Sequence, residues 1–432
     1  MYCQLEVLRH CFPSSVQRIL EELPESLDET YERILREIKK PNQGHAHRLL
    51  QCLVAAVRPL QVKELAEILA FDFSTPGIPK LNPGWRWEDQ DEAVMSACSS
   101  LVMIVKDGDS LVVQFSHFSV KEFLTADRLA EPIRDVSRYH IRLEAAHMIL
   151  VRACLGVLLQ LDDGIDRDGM KSFPLARYAA QYWPTHARIE NVSSWIKDGM
   201  ECLFDADKPY FATWLWIYDE DQGDDSMSTM RPEKPKAVPL YYAAMFGLRY
   251  LAEHLIAEHP EHATVRGGSE ETPLHVAASA GHSDILWLLT EHGADVNGRN
   301  EKNGEIPLHR ASANGRLEAG QFLLNRAADI DVPNDSKNTA LMLATLRGHA
   351  EFAQMLLERG ASIDARGSLG WTPLHWAAVS GRIDVVRLLL DRGADARVCE
   401  NRGFTPSQLG SHMSHREIVE LLSNWDASSV KE

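Results

Sequence analysis

A repeat of 33 or 34 residues in the carboxy-terminal half constrains the fold more than any other feature of the chain. Aligned segments begin at Val238, Thr272, Ile306, Thr339, Thr372 and Thr405. A period of roughly 20–50 residues indicates stacked supersecondary units, because one unit cannot bury its apolar face alone. We therefore expect a solenoid of six units over residues 238–425.

The unit is clearest in "TPLHVAASAGHSDILWLLTEHGAD", residues 272–295. Thr272 is suited to cap a helix, and Pro273 to its first position, where no backbone donor is needed. Gly281 and Gly293 permit the left-handed conformation that ends a helix. An apolar stripe at helical spacing lies between these glycines and comprises Ile285, Leu286, Leu288 and Leu289. Each unit is therefore predicted to be a pair of helices, and turn signals such as Asn303-Gly304 predict a hairpin between units.

These residue types at this period resemble the ankyrin repeat. The resemblance implies that the histidine of each TPLH motif (His275, His309 and His375) hydrogen-bonds the capping threonine and the backbone near the next repeat. Met342 and Gln408 replace this histidine in the fourth and last units. Such replacement fits a structural role and argues against catalysis.

Composition and charge exclude several classes of function. The net charge is −17 and the pI is near 5.5, whereas a nucleic-acid footprint needs clustered Lys and Arg. The seven cysteines form no CxxC pair and fit reduced thiols in the cytoplasm. No apolar run approaches the roughly 18 residues needed to cross a bilayer, and no signal peptide is visible. We expect a cytoplasmic protein without nucleic-acid or membrane partners.

The first half of the chain predicts three helices followed by a two-stranded wing. The helices are "AHRLLQCLVAAV", "VKELAEILA" and "EDQDEAVMSACSSL", and the wing turns at Asp107-Gly108-Asp109. Ser26 with Glu29, and Ser119 with Glu122, have the spacing of capping boxes in flanking helices. Such a winged helix can read DNA, but here the third helix would place four carboxylates against phosphates (Glu88, Asp89, Asp91 and Glu92).

Five segments extend the resemblance over nearly the whole chain. They occur in the order "CQLEVLRHC", "LPESLDETYERIL", "RPLQVKELAEILA", "FSHFSVKEFL" and "PLARYAAQYWPTHAR". They resemble the part after the NACHT domain in fungal NACHT–ankyrin proteins, which are NLR-like signalling NTPases of the STAND class. The winged helix is similar to the one named after GPI inositol-deacylase. The domains implied are a helical tail of a NACHT-type module at 1–42, a winged helix at 43–128, a helical connector at 129–237 and six ankyrin repeats at 238–425.

The chain departs from that family in lacking a nucleotide-binding loop. The chain contains no GxxxxGK[ST] loop to cradle phosphates, so no ATPase activity is carried over. Two explanations stay open. The protein is a naturally short relative, or the sequence lacks an upstream part.

Other candidate chemistry is weak. His259 and His262 have a metal-ligand spacing, but metal sites need three or four ligands with supporting groups. His140 and His147 lie on one helical face and are interpreted as packing residues. No GxSxG elbow occurs. We expect no catalytic residues, no cofactor and no metal, and hence no enzyme.

The concave face of the array remains as the candidate binding surface. The repeat register predicts exposure of the residue before each cap, including Glu271 and Glu305, and of the end of each first helix. Apolar and aromatic residues concentrate toward the last repeats, and an exposed cluster of this kind usually marks a partner site. Trp376, by contrast, is expected in the core between helices. The predicted partner-binding residues are Leu346, Arg347, Trp371, Val379, Phe404 and Met413.

The sequence therefore predicts a mainly α protein in which a winged helix and a helical connector precede an ankyrin solenoid. Its expected function is that of a non-catalytic interaction scaffold, resembling the regulatory half of a NACHT–ankyrin receptor and binding a protein on the concave face. The alternative is the regulatory portion of an NTP-hydrolysing switch whose nucleotide domain is missing or on another chain. The oligomeric state cannot be inferred.

Overall fold

A computed structural model describes residues 26–86, 89–90, 92, 94–95, 100–131, 135–205, 207–221, 237–267 and 270–429. The protein is mainly α-helical. It divides into two compact units, Met1–Pro235 and Lys236–Glu432. In the described residues no helix has both the length and the apolar character needed to span a membrane.

The first unit begins with helices and a small sheet. Helix α1 starts after Ser26, whose Oγ accepts a hydrogen bond from the Glu29 N–H at 3.2 Å. The helices of this part are α1 (Leu27–Glu37), α2 (Gln43–Ala55) and α3 (Val62–Leu69). The strands are β1 (Leu60–Gln61), β2 (Phe71–Asp72), β3 (Lys80–Leu81), β4 (Val102–Asp107) and β5 (Ser110–Phe115). The third predicted helix of the winged helix falls largely outside the described residues.

The wing has the predicted form. Strands β4 and β5 pair antiparallel with Asp107 opposite Ser110, so the turn consists of two residues. Gly108 takes a positive φ of 58° there, as such tight turns require. Strand β1 pairs with the other edge of β5, which gives a three-stranded sheet in the order β1-β5-β4.

The helix after the wing, α4 (Phe118–Thr125), corrects one expectation. His117 caps it, because the His117 Nδ1 accepts a hydrogen bond from the Ser119 N–H at 3.2 Å. Ser119 therefore lies inside the first turn and is not the cap. Its hydroxyl lies 2.8 Å from the Tyr31 hydroxyl of α1 and 2.6 Å from the His117 Nδ1.

Among the described residues of the first unit, five further α-helices follow, namely α5 (Leu143–Leu158), α6 (Ala176–Ala187), α7 (Val192–Trp195), α8 (Lys197–Phe204) and α9 (Tyr210–Asp221). Helix α6 packs an aromatic face inward, with Tyr178 and Trp183 fully buried. The Trp183 ring packs 5.5 Å from that of Trp214, whose Nε1 donates to the Ala180 carbonyl at 2.9 Å. His147 also packs inside, with its Nδ1 at 2.8 Å from the His186 Nδ1.

The described residues of the second unit form six pairs of α-helices. They are α10 (Pro239–Phe246) with α11 (Arg249–Glu258), α12 (Pro273–Ala280) with α13 (Ser283–Glu291), α14 (Pro307–Ala313) with α15 (Leu317–Asn325), α16 (Ala340–Arg347) with α17 (Ala350–Glu358), α18 (Pro373–Val379) with α19 (Ile383–Asp391), and α20 (Pro406–His412) with α21 (Arg416–Ser429). First helices pack on first helices and second helices on second helices. Thr272 caps α12 as predicted, and Gly281 ends it at a φ of 90°.

Candidate partner-binding face of the repeat array

The TPLH histidines bind one repeat to the next. The His275 Nδ1 accepts a hydrogen bond from the Thr272 N–H at 3.3 Å, and the Nε2 lies 3.0 Å from the Glu305 carbonyl oxygen of the following repeat. Since the Nδ1 accepts, the Nε2 carries the proton and donates. Burial lowers the pKa of His275 to about 4, which keeps the ring neutral. The His309 and His375 Nε2 atoms reach the carbonyls of Asn338 and Phe404 at 3.2 and 3.3 Å. The predicted structural role is confirmed, with one difference: the cap of the third repeat is Ile306 rather than a threonine, and only its N–H bonds the His309 Nδ1, at 3.1 Å.

The residue before each capping position is held by its hairpin. Its carbonyl accepts a hydrogen bond from an N–H at the start of the same hairpin. These bonds run from Asn300 to Glu305 at 2.8 Å, from Asn334 to Asn338 at 2.9 Å, from Gly367 to Trp371 at 2.9 Å and from Glu400 to Phe404 at 3.0 Å. Because the backbone is fixed at this position, so is the direction in which its side chain leaves the hairpin.

A second set of side chains links repeats at the turn between their two helices. The Arg316 Nε donates to the Ser279 carbonyl at 3.1 Å. In the same way, the His349 Nε2 lies 3.2 Å from the Ala313 carbonyl oxygen, and the His415 Nε2 lies 3.1 Å from that of Val379. Each of these junctions therefore has a side-chain-to-backbone hydrogen bond at both ends of the first helix, one near the hairpin and one near the helix–helix turn.

The junction between the fourth and fifth repeats differs. Met342 stands in the place of the histidine and has no donor for the Trp371 carbonyl. Arg382 lies at the helix–helix turn. Within residues 270–429, all of which the structure describes, its side chain makes no hydrogen bond. The carbonyl of Trp371 thus keeps only the bond from Gly367. Contacts remain at the hairpin tips, where the Ser368 Oγ donates to the Ser336 carbonyl at 2.7 Å.

The predicted site residues lie around this junction and beyond it. Trp371 is half-buried, and its ring packs edge-to-face on that of Trp376 at 4.6 Å. Phe404 is 37% exposed, with its ring 5.5 Å from the His412 ring. Met413 is 52% exposed. Leu346 and Val379 are half-buried, and Arg347 is exposed. Within the stretch 270–429, no ring contact joins Trp371 to Phe404.

Two expectations about this surface need correction. Trp376 does not lie in the core between helices but is half-buried beside Trp371. Glu271 and Glu305 are buried rather than exposed, at 5% and 7% of their accessible surface. The reason is Arg310, whose Nε lies 2.9 Å from a Glu271 carboxylate oxygen and whose Nη1 lies 3.5 Å from one of Glu305. Burial raises the pKa of Glu271. On the face of the second and third repeats, these three charged side chains are therefore already paired with one another.

Sequence reasoning missed one apolar residue of the face. Leu369 is 52% exposed at the tip of the fifth hairpin. The sequence contained this signal, because the equivalent tip positions of the neighbouring hairpins carry the polar residues Asn303, Ser336 and Arg402. Leu369, Trp371, Phe404 and Met413 together make the fifth and sixth repeats the apolar part of the face. We call the set of these four residues with Leu346, Arg347 and Val379 the distal face.

His259 and His262, which have a metal-ligand spacing in the sequence, also lie close together in the structure. Ligand atoms of His259, Glu261 and His262 are all within 4.8 Å of one another. The 3₁₀-helix Pro260–Thr264 explains this, because residues three apart eclipse in such a helix, and the two imidazole rings stack at 4.7 Å. His259 and Glu261 have side chains 54% and 66% exposed, so water competes for their ligand atoms.

Comparison with known proteins identifies the modules. The family model described as ankyrin repeats (3 copies) matches residues 240–334, 327–399 and 368–431. The model described as the GPI inositol-deacylase winged helix domain matches residues 31–133. The protein therefore contains ankyrin repeats and a winged-helix domain of the GPI inositol-deacylase type, and the resemblance to both is confirmed. Ankyrin repeats indicate a protein–protein interaction scaffold.

Individual relatives match parts of the chain. The azaphilone pigments biosynthesis cluster protein L of Monascus ruber is 32% identical over 298 residues, which cover 64% of this chain and 61% of that protein. The ankyrin repeat and SAM domain-containing protein 6 of Mus musculus is 34% identical over 125 residues, 28% of this chain and 14% of that protein. The NF-kappa-B inhibitor cactus of Drosophila yakuba is 38% identical over 73 residues, 17% and 15% of the two chains. The chain thus spans less than two thirds of these relatives.

Proposed function

We propose that the protein is a non-catalytic scaffold that binds a protein partner on the distal face of its array. The supporting observation is the concentration of exposed apolar side chains there, with Leu369, Phe404 and Met413 each more than a third exposed. Large exposed apolar side chains on a rigid support are typical of binding hot spots. The second and third repeats are less suited, because Arg310 is already paired with two carboxylates of its own chain.

We further propose that the protein acts in the cytoplasm as the regulatory half of a NACHT–ankyrin type of receptor. The support is the order of its modules, a winged helix of the GPI inositol-deacylase type followed by ankyrin repeats. The same winged helix favours the second candidate, in which this chain regulates an NTP-hydrolysing domain on an upstream segment or another chain. A Walker-type loop encoded in frame upstream of Met1 would favour the second candidate over the first.

The partner is first captured with the whole protein as bait, and its affinity is then measured for variants. Trp371→Ala should weaken binding by about 2 kcal/mol, close to thirtyfold, if the tryptophan is a hot spot. Its melting temperature should change little, because a half-buried residue contributes modestly to the core. His375→Ala should do the reverse, since it removes the hydrogen bond to the Phe404 carbonyl.

Trp287→Ala is the matched control. Trp287 is 44% exposed on the second helix α13, away from the distal face, and its loss should leave affinity unchanged. The proposal is wrong if Trp371→Ala melts as early as His375→Ala while its folded fraction binds the partner normally. Equal losses from Trp287→Ala and Trp371→Ala would also exclude a site confined to the distal face.

A further inference from the structure

The charged side chains on the concave face differ between the two halves of the array. Paired carboxylates lie in the second and third repeats, and unpaired arginines lie in the fourth, fifth and sixth. The first helices α12, α14, α16, α18 and α20 all lack Asp and Glu, so the difference comes from the hairpins, where the second and third repeats place Glu271 and Glu305. Four arginines at the hairpins and at the ends of the first helices make no ion pair with a carboxylate in the stretch 270–429, namely Arg347, Arg366, Arg382 and Arg402, whereas Arg392 on a second helix pairs with Glu358 at 3.2 Å. The Glu400 carboxylate is turned inward, where it accepts from the N–H groups of Arg402 and Phe404. The unpaired cations therefore lie at the hairpins and at the ends of the first helices, although residues 332–429 as a whole hold 10 Lys and Arg against 11 Asp and Glu.

Two of these arginines lie together at the end of α16. A Cβ added to Gly348 would lie 2.7 Å from the Arg382 Cδ, so the Arg382 side chain crosses the backbone directly after Arg347. Two others lie at the hairpins. Arg366 donates to the Gly370 and Cys399 carbonyls, which places it between the fifth and sixth hairpins. Arg402 is exposed at the tip of the sixth.

Aromatic and aliphatic side chains belong to the same repeats as these cations. Trp371 packs on Trp376, and Phe404 and Leu369 are exposed at the hairpins. The Trp376 Nε1 is buried without a hydrogen-bond partner. Since buried donors normally have partners, this indole N–H would gain from an acceptor that a bound molecule supplies.

We propose that the distal face takes an acidic segment of a partner protein that carries at least one large apolar side chain. This proposal rests on the proposed function. Carboxylates of the segment pair with Arg347 and Arg402, because a guanidinium matches a carboxylate in two parallel hydrogen bonds. The apolar side chain packs against Trp371 and Phe404. The local arginines select the acidic segment although the net charge of the whole protein is −17.

The experiment selects phage-displayed random peptides of about twelve residues on the immobilised full chain. We expect the enriched peptides to be net negative and to contain an aromatic or large aliphatic residue. One enriched peptide is then synthesised and its affinity measured. Arg347→Glu combined with Arg402→Glu should weaken it at least tenfold, and a version with lysines in place of its acidic residues should bind this double variant better than the wild type.

Arg387→Glu provides a matched charge reversal on the second helix α19, where Arg387 is exposed, and should leave the affinity unchanged. Melting curves confirm that every variant is folded. Enrichment of neutral or basic peptides that need Trp371 but not the arginines overturns this inference and leaves the proposed function standing. Peptides that bind equally to the wild type and to Trp371→Ala with Phe404→Ala overturn the proposed function itself.

Two further outcomes also count against the inference. A complete lack of enrichment contradicts it, because an acidic linear segment should then have been found. A fluorescein-labelled oligouridine whose binding is lost in the same arginine variants would assign the face to single-stranded nucleic acid, which arginine with aromatic rings also suits. Enrichment of peptides that copy acidic stretches of this chain would identify a second copy as the occupant.

Discussion

The residue that shows most clearly how the array is held together is His275. It is buried, neutral and bonded at both ring nitrogens, to its own cap and to the next repeat. The sequence predicted its role through the resemblance of the TPLH motif to ankyrin repeats. A motif that recurs at the repeat period belongs to the geometry of the repeat. The burial of Glu271 and Glu305 did not follow, since their covering side chain, Arg310, lies one position beyond the motif and acts across two repeats.

Protonation of this histidine makes the array acid-sensitive. Its pKa falls from an ordinary value of 6.5 to about 4 in the folded protein, mainly through burial. Between these values the unfolded chain binds a proton that the folded chain does not. Stability is therefore complete above about pH 6.5 and falls as the pH drops toward about 4, by about 3 kcal/mol for one such group.

We predict that His275→Gln reduces this acid sensitivity. Glutamine cannot titrate, yet it retains an acceptor for the cap, as Gln408 does for the Thr405 N–H at 2.9 Å. The free energy of unfolding in urea should fall less steeply between pH 6.5 and 4.5 in the variant than in the wild type. His412→Gln, at an exposed histidine, should keep the wild-type slope. Equal slopes for wild type and His275→Gln would refute the assignment of the titrating group.

At the scale of elements, the junction between the fourth and fifth repeats differs from the junctions 2–3, 3–4 and 5–6 in its side-chain-to-backbone hydrogen bonds. Met342 and Arg382 remove two hydrogen bonds that the others have. Adjacent repeats in a solenoid are coupled mainly through their shared interface, so a loss at one interface is not compensated by distant repeats. The Trp371 carbonyl consequently lacks the side-chain hydrogen bond from the preceding repeat that the Phe404 carbonyl receives from His375.

Met342→His is predicted to strengthen this junction. The new Nε2 would donate to the Trp371 carbonyl, and the gain should be about 1 kcal/mol in the free energy of unfolding. The reverse change at an intact junction, His309→Met, should cost at least as much. Urea unfolding of both variants measures the two values. Destabilisation by Met342→His would mean that packing of the buried methionine contributes more than the missing hydrogen bond.

Secondary-structure elements could be predicted where residues close together in the sequence determine them. The wing turn at Gly108 and the helix pair after Thr272 follow from backbone preferences that one or two residues satisfy. The start of α4 was not predictable from such a rule. Ser119 is the better cap by its type, but the Tyr31 hydroxyl from a helix 88 positions away engages it, and His117 caps instead.

At the scale of the whole molecule, we predict no hydrolysis of ATP or GTP. The chain contains no loop of the GxxxxGK[ST] type, so nothing in its sequence provides the usual cradle for phosphates. Phosphate release by the purified protein should equal that of a buffer blank. Turnover that co-elutes with the protein through successive columns would show that this prediction is wrong.

Duplex DNA should not bind to the full chain in a salt-dependent manner. Its net charge of −17 opposes association with phosphates, and the predicted third helix of the winged helix begins with acidic residues. A gel-shift series at low and moderate salt tests this. A shifted band that weakens as salt rises would contradict the prediction.

We predict that the array unfolds as two cooperative blocks that meet at the fourth junction, because Met342 and Arg382 leave out two hydrogen bonds there. Leu346 and Arg347 belong to the block on its amino-terminal side, and Trp371 and Phe404 to the block on the other. A ligand that contacts both blocks would bind as a tethered bivalent pair does, with its second contact formed at a high effective concentration. Its affinity would then depend on the distance between its own two contact points. The ligand-bound array should unfold in one transition and the free array in two.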